Sequence, residues 1–464
     1  MQSSTFPLAQ ACSAVSQYSK AALPTIVAQF CGNAVLIIFA TILVALCADL
    51  VLVPGEALAN EAPLSMQEAQ RRAVERSRQI AAQNASVTAS REMAVAAGQL
   101  PDPVLRFGID NLPINGPDQF SVTNDFMTMR RVGVMQEFTR SDKRELRAQR
   151  FENEAEKSLA EKEAVIASIQ RESALAWLDV YFAEAQAKVI AQQNAQAKIE
   201  ITAAEAAYRA GRGSQADVFA AHSARATLED QASEVGRRVA NARTMLARWV
   251  GDEPAFSISE KPAMDSIRVD SSTLDMELGH HPQIAILTKR EQIAATEVRL
   301  AQADRKADWS VELSYSLRGP AYSNMVSIGV SVPLQWDQRN RQERQIASKL
   351  AAAEQARAER EEVLRAHVSE VRTMIAEWQN GRERVARYER ELLPLALERT
   401  KAARAAYQGG KSTLTELLLA RRNEIDVRMQ KVRLEAETAR LWAGLNFLFP
   451  DFASPSNAND GASK

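Results

Sequence analysis

Met325-Val326-Ser327-Ile328-Gly329-Val330-Ser331-Val332-Pro333-Leu334 is the stretch on which the fold turns. Val326, Ile328, Val330, Val332 and Leu334 alternate with Ser327, Gly329 and Ser331, a period of two. Alternate side chains of a strand stand on opposite faces, so one face is wholly apolar and the other small and polar. The segment before it repeats the pattern, with Trp309, Val311, Leu313, Tyr315 and Leu317 set against Ser310, Glu312, Ser314, Ser316 and Arg318. About ten residues of such alternation is what a lipid-facing barrel strand requires. A weaker copy lies earlier: Leu105, Phe107 and Ile109, then Val132, Val134 and Phe138, with Arg106, Asp110, Arg131 and Glu137 opposite. One such hairpin could equally be half-buried in a soluble sheet. Two at matching places in a duplicated chain favour a membrane barrel.

The duplication is clearest elsewhere. Residues 206–226 and 405–425 are two copies of one segment, with Tyr208 matching Tyr407, Gly211 matching Gly410, Arg212 matching Lys411 and Asp217 matching Glu416 at a constant offset. A repeat this long is not a short-period solenoid; the chain is two copies of one structural half. Each copy sits at the end of a long helical pattern. Residues 134–210 contain neither Gly nor Pro, and apolar Leu159, Ile166, Ile169, Leu175, Leu178 and Phe182 recur at helical spacing. At 1.5 Å per residue such a helix would reach roughly 100 Å. A second run extends from about Asp337 to Gln408, with Gly381 and Pro394 expected to interrupt it. Shorter helices are expected at 65–98, 215–250, 274–306 and 412–447.

The resulting organisation is a leader over 1–59, a first repeat over 60–258, a second over 259–450 and a disordered tail over 451–464. The first repeat holds a helix, a β-hairpin at 101–138 and a long helical hairpin at 140–250. The second holds a helix, a β-hairpin at 308–335 and a long helical hairpin at 337–447. The fold class is therefore mainly α with a small β part. The leader reading rests on the apolar run of residues 33–53 and the Ala57-Leu58-Ala59 pattern, suited to signal cleavage before Asn60; the rival is an uncleaved membrane helix, since the run is near the length needed to span. All three cysteines, Cys12, Cys31 and Cys47, fall inside it, so an exported chain would hold no disulfide and depend on packing or assembly. A formal net charge of −1 in 464 residues points to no nucleic acid partner. Aromatics make up only 6% of the chain, a composition suited to long helices.

Four strands cannot close a barrel, and open edges in lipid would leave amides unpaired at several kcal/mol each. The chain is therefore expected to oligomerise. The order helix, hairpin, long helix, turn, helix, given twice, resembles the TolC-type outer-membrane efflux proteins over nearly all of residues 60–450. Pro101-Asp102-Pro103 before the first strand and Val332-Pro333-Leu334 after the last belong to that resemblance. Gly108 to Pro117 and Asp125 to Arg131 look like the CzcC-like branch linked to heavy-metal efflux. The resemblance implies a homotrimer with a 12-stranded outer-membrane barrel and a hollow coiled-coil helical barrel in the periplasm. It implies a periplasmic adaptor (membrane fusion) protein and an inner-membrane resistance-nodulation-division pump as partners, outer-membrane lipid around the strands, and passive export, with heavy-metal cations as the expected cargo. Multidrug export or type I secretion is the alternative within that class, and a periplasmic coiled-coil scaffold lies outside it.

Few residues suggest chemistry. Gly211, Gly213, Gly409 and Gly410 break the helices at their far ends, and Ser214, Ser412 or Thr413 can cap the returning helices. These tips are either turns alone or docking points for an adaptor, because exposed loops on rigid rods suit docking. Asp217 and Glu416, near Arg212 and Lys411, are candidates for ion pairs that hold the narrow end shut. Met127, Met129 and Met135 are expected on one strand face, as packing rather than soft-metal ligands. His222, His280, His281 and His367 show no ligand spacing, and no nucleophile with a base is evident, so neither enzyme activity nor a cofactor is expected.

Overall fold

Each half of the chain builds a pair of helices, a β-hairpin and a long helical hairpin, and the two β-hairpins merge into one sheet. The computed structural model describes residues 63–251, 257–270 and 272–451. The expected leader and all of the expected tail beyond Asp451 lie outside the described residues. In the first half, α1 (Met66–Arg76) and α2 (Arg78–Ala97) lead to β1 (Val104–Asp110) and β2 (Met129–Phe138). The hairpin of α3 (Ser141–Arg209) and α4 (Gln215–Val250) follows. In the second half, α5 (Leu274–Gly279) and α6 (Pro282–Ala303) lead to β3 (Trp309–Leu317) and β4 (Met325–Ser331). Then come α7 (Gln342–Arg387), a π-helical turn at Tyr388–Leu392, α8 (Leu393–Gln408) and α9 (Leu414–Asn446). No helix among the described residues is long and apolar enough to cross a membrane.

Three sequence expectations need correction. The opening helices are broken in both halves, at Ser77 and at His280–His281. Ser77 caps the start of α2 by accepting the Ile80 N–H, and His281 caps α6 by accepting the Gln283 N–H beside Pro282. Gly381 does not interrupt α7, which runs through it. Its missing side chain makes room for α9: a Cβ there would stand 2.5 Å from Thr438 Oγ1. The perturbation belongs to Pro394 alone. Proline cannot donate to the carbonyl four residues back, and the π turn at Tyr388–Leu392 widens the helix just before it. The first long helix has neither proline nor glycine and stays regular for 69 residues. Met127 lies outside β2, so only Met129 and Met135 share a strand face.

The main core gathers where α1, α3, α4, α7 and α9 meet, around Trp177, Leu178, Leu246, Val371 and Ala443. Trp177 is fully enclosed, and its indole N–H donates to the Leu64 carbonyl at 2.9 Å. Toward the helical tips the core thins to small clusters, first Ile190, Leu228 and Ile425, then Ile201, Ala204, Ala221, Leu414 and Leu417. The last cluster joins residues of both halves, so the two hairpin tips pack side by side.

Candidate functional site

The sheet runs β1-β2-β3-β4, antiparallel throughout. Its register places the apolar residues of the four strands in rows. Phe107, Val132, Tyr315 and Val326 form one row, and Leu105, Val134, Leu313 and Ile328 the next. Among the described residues this face meets no other element: Phe107 is 73% exposed and Ile328 74%. Such a large unpartnered apolar face marks contact with something other than water. At the helix-proximal end Phe138 and Trp309 stack with centroids 4.5 Å apart, and beyond them Trp336 is 88% exposed. At the far end Arg130 and Gly319 tie the loops together. Arg130 donates to the Arg318 carbonyl, and the Gly319 backbone lies against the Thr123 carbonyl so closely that a Cβ would stand 1.8 Å from its oxygen. An apolar band with aromatics at one edge is the pattern expected of the outer surface of a transmembrane barrel.

The opposite face is polar and ion-paired. Arg106 reaches Glu312 at 3.1 Å, and Arg131 reaches Asp110 at 3.2 Å and Glu312 at 3.7 Å. Ser314 and Ser316 lie buried beneath these side chains. Met129 and Met135 stand on this face too, and the Arg106 guanidinium contacts the Met135 sulfur. A cationic donor at that thioether supports packing over soft-metal ligation.

At the tips the two halves use one backbone motif. The Arg212 N–H donates to the Ala207 carbonyl and the Gly211 N–H to Tyr208; Lys411 does the same to Ala406 and Gly410 to Tyr407. These are Schellman turns, which need a left-handed residue, and Gly211 and Gly410 both have φ of 71°. Gly213 has no such φ, but a Cβ there would press on Ala207 at 3.3 Å. Ser214 caps α4 in a reciprocal box with Asp217. Its N–H and hydroxyl donate to the Asp217 carboxylate at 2.8 and 2.7 Å, holding that carboxyl below its usual range. Thr413, not Ser412, caps α9 by accepting the Glu416 N–H at 3.3 Å. Asp217 and Glu416 are therefore equivalent positions in the first turns of returning helices, where a carboxylate favours the helix dipole. Among the described residues no ion pair within the subunit joins them to Arg212 or Lys411. The two tips still share a field, since Asp217 and Arg212 both act on the Tyr407 hydroxyl across the hairpins.

Two groupings escaped the sequence reading. Above the tips, Arg421 of α9 bonds Glu200 of α3 at 3.1 Å and Glu424 at 3.0 Å, while Arg428 holds Glu424 at 2.9 Å. Glu424 is 1% exposed and Glu200 7%. Burial pushes the Glu200 carboxyl up, against the opposing pull of Arg421. The one available signal was the spacing of Arg421, Glu424 and Arg428 along a helix; nothing local pointed to Glu200. Near the main core, the rings of His281 and His367 lie 4.4 Å apart with Phe449 5.6 Å from His281. Burial, and then His367, depress His281 to about 4. No group of three metal-ligating side chains forms among the described residues.

Residues 273–449, which span β3, β4 and the second tip, match the family described as outer membrane efflux protein. The second half of the chain is thus similar to that family. Solved structures share the chain's fold at low identity. The outer-membrane channel OprN matches with a TM-score of 0.71 at 18% identity, covering 83% of this chain and 90% of OprN. VceC, an outer membrane protein from Vibrio cholerae, matches with a TM-score of 0.68 at 20% identity, covering 82% and 95%. CusC, described through its transmembrane channel formation, matches with a TM-score of 0.69 at 15% identity, covering 83% and 92%. No curated protein matches the sequence.

Proposed function

We propose that the chain is an outer-membrane efflux channel and not an enzyme: three copies close one twelve-stranded barrel in the outer membrane and one helical conduit below it in the periplasm, a passive duct for substrate delivered from an inner-membrane pump. The observation that carries this reading is a four-stranded sheet with an exposed apolar face, a charged inner face and two unpaired edges. Lipid tolerates no open edge, so sister chains must supply the missing strands. Twelve strands enclose a water-filled lumen, and the ion-paired face would line it. A periplasmic adaptor meets the tips at Gly211, Gly213, Ser214, Gly410, Ser412 and Thr413, and a resistance-nodulation-division pump completes the system. Around the threefold axis Asp217, Glu416, Arg212 and Lys411 pair between subunits and keep the narrow end closed. Asp217→Ala combined with Glu416→Ala should then raise single-channel conductance in planar bilayers; an unchanged conductance removes these residues from the gate.

Heavy-metal cations are the proposed cargo, on the likeness of Gly108 to Pro117 and of Asp125 to Arg131 to the metal-efflux branch. A deletion strain should lose growth on one or more of copper, silver, zinc, cobalt, nickel and cadmium, and recover it with the intact gene. Normal metal tolerance with increased drug or dye sensitivity would instead assign a multidrug duct.

A further inference from the structure

The arginines of the sheet are treated differently on its two faces. On the polar face Arg106 and Arg131 are both ion-paired, through Glu312 and Asp110. Arg130 stands on the apolar face, in a row with Ile109 and Leu317, the next row outward from Phe107, Val132 and Tyr315. Among the described residues neither Arg130 nor Arg318, just past the end of β3, forms an ion pair. Arg130 donates from Nη2 to the Arg318 carbonyl at 3.2 Å. Arg318 donates from Nη2 to the Phe126 carbonyl, and its guanidinium lies 4.9 Å from the centre of the Tyr322 ring. The enclosed Nε of each meets no acceptor, while the Nη1 of each is accessible and unbonded among the described residues. Both residues are half-buried. Two positive charges thus stand at this rim without a counter-ion.

The strands fix the height of Arg130. The Phe138–Trp309 stack marks the end of the apolar face nearest the helices. The Arg130–Leu317 row lies about 27 Å farther along β2 and β3, at 3.4 Å per residue. A strand tilt of roughly 35–45° turns this into a height of about 19–22 Å, against an apolar band of about 25 Å. The Cα of Arg130 therefore lies just inside the outer limit of the band. Long basic side chains cross such a gap by laying the stem on apolar surface and raising the charged head to the boundary. Arg130 takes that direction, since its guanidinium reaches outward to the carbonyl of Arg318. Tyr315, one row inward, sends its hydroxyl the same way, accepting from Asn324 Nδ2 in the outer loop at 2.8 Å.

Resting on the outer-membrane reading above, we propose that Arg130 and Arg318 bind the phosphate group of an outer-leaflet lipid. Guanidinium groups suit phosphate because their fixed fork offers several parallel donors to its oxygens. Here the free Nη1 groups supply donors, and the two uncompensated charges supply the attraction. A lipid fits better than free phosphate because the stem of Arg130 rises from the apolar face. Acyl chains of the same molecule would cover Val132 and Val134, the rows beneath it, which are 39% and 46% exposed. A free ion gains the charge alone. The paired arginines of the polar face offer no such site, since Glu312 and Asp110 already neutralise them.

Native mass spectrometry of the full chain in a non-ionic detergent tests the site, with lipid A, a glycolipid carrying phosphate monoesters, as probe. Lipid A should bind at least about tenfold more tightly than the same glycolipid stripped of phosphate, since each basic side chain at an anionic headgroup is worth about fivefold. Equal binding overturns the proposal, and this comparison needs no variant. Arg130→Gln with Arg318→Gln should weaken lipid A binding by about 25-fold, and Arg130→Lys with Arg318→Lys should recover most of it. A glutamine variant that inserts and binds lipid A as tightly as the unaltered chain overturns the assignment to these residues. Millimolar inorganic phosphate should leave the lipid bound; complete displacement would make the free ion the ligand and overturn the lipid. A chain that fails to sediment with outer membranes overturns the outer-membrane reading itself, whatever it binds in detergent.

Discussion

Removing the Arg421 guanidinium should loosen the periplasmic end of the helical hairpins in a specific, pH-dependent way. Arg421 bridges Glu200 of α3 and Glu424 of α9 at 3.1 and 3.0 Å in a site where both carboxylates are buried. Arg421→Ala leaves Glu424 with Arg428, at 2.9 Å, but strips Glu200 of its only close ion partner among the described residues. Breaking a buried pair by deleting one side costs about 3–5 kcal/mol. Arg404 still acts on Glu200 from farther away, which puts the cost near the low end. At 1.4 kcal/mol per factor of ten, about 3 kcal/mol means roughly a hundredfold faster local opening. Hydrogen exchange read by mass spectrometry, on peptides covering 196–204 and 417–428, measures this as a fall in protection factor. Glu200→Ala leaves Arg421 with Glu424 and should cost about 1 kcal/mol. The double variant should be less defective than Arg421→Ala alone, because the stranded charge is gone. The sign with pH follows from burial. Glu200 has a folded pKa above its unfolded value, so its contribution favours folding below the unfolded value and is lost as pH rises through the folded one. Without Arg421 the carboxyl rises further, and the Arg421→Ala defect should shrink as the pH is lowered and the stranded carboxylate takes up a proton. Equal defects in the two single variants at every pH, or an Arg421→Ala defect that grows on acidification, would refute the reasoning.

Other expectations follow from single positions. Ile328→Arg places a charge on the lipid face and should cost about 2–4 kcal/mol of barrel stability near the midplane, whereas Ser327→Arg on the lumen face should insert normally; urea unfolding in lipid vesicles compares them. Gly211→Ala and Gly410→Ala each force a side chain into a φ of 71° and should cost about 1 kcal/mol, seen as faster exchange confined to the tips. Gly211→Trp should abolish efflux with trimer mass intact if the tip docks an adaptor, and loss of the trimer would assign it to folding. Gly381→Ala drives a Cβ onto Thr438 Oγ1 and should cost about 1–3 kcal/mol by overpacking, less a gain of about 1 kcal/mol in helix propensity. Adding Thr438→Ala should recover most of the loss in thermal melts followed by circular dichroism.

The lipid face and the tip turns were legible because their signals are carried by neighbouring residues. Alternation over residues 325–334 sorts side chains onto two faces whatever the strand pairs with, and a glycine immediately before Arg212 or Lys411 sets a left-handed turn from backbone sterics alone. The helix break at Ser77 was local as well, but a serine within an apolar-periodic run reads equally as helix interior or as cap, and the pattern on either side hid it. Gly381 was misread for the opposite reason. Alone it looks like a helix breaker, and only the approach of α9 shows that it serves packing.

By itself the amino-acid order determined that this protein is two helical halves, each with a hairpin whose one face suits lipid, since periodicity and turn chemistry act over a few residues. The folded chain alone decided that the hairpins join as β1-β2-β3-β4, leaving β1 and β4 as the open edges. It alone decided that Arg421 meets Glu200, 221 positions away. Contacts of that span depend on the rotation and register of whole helices against one another, which arise from the summed packing of many side chains and are encoded at no single place along the chain.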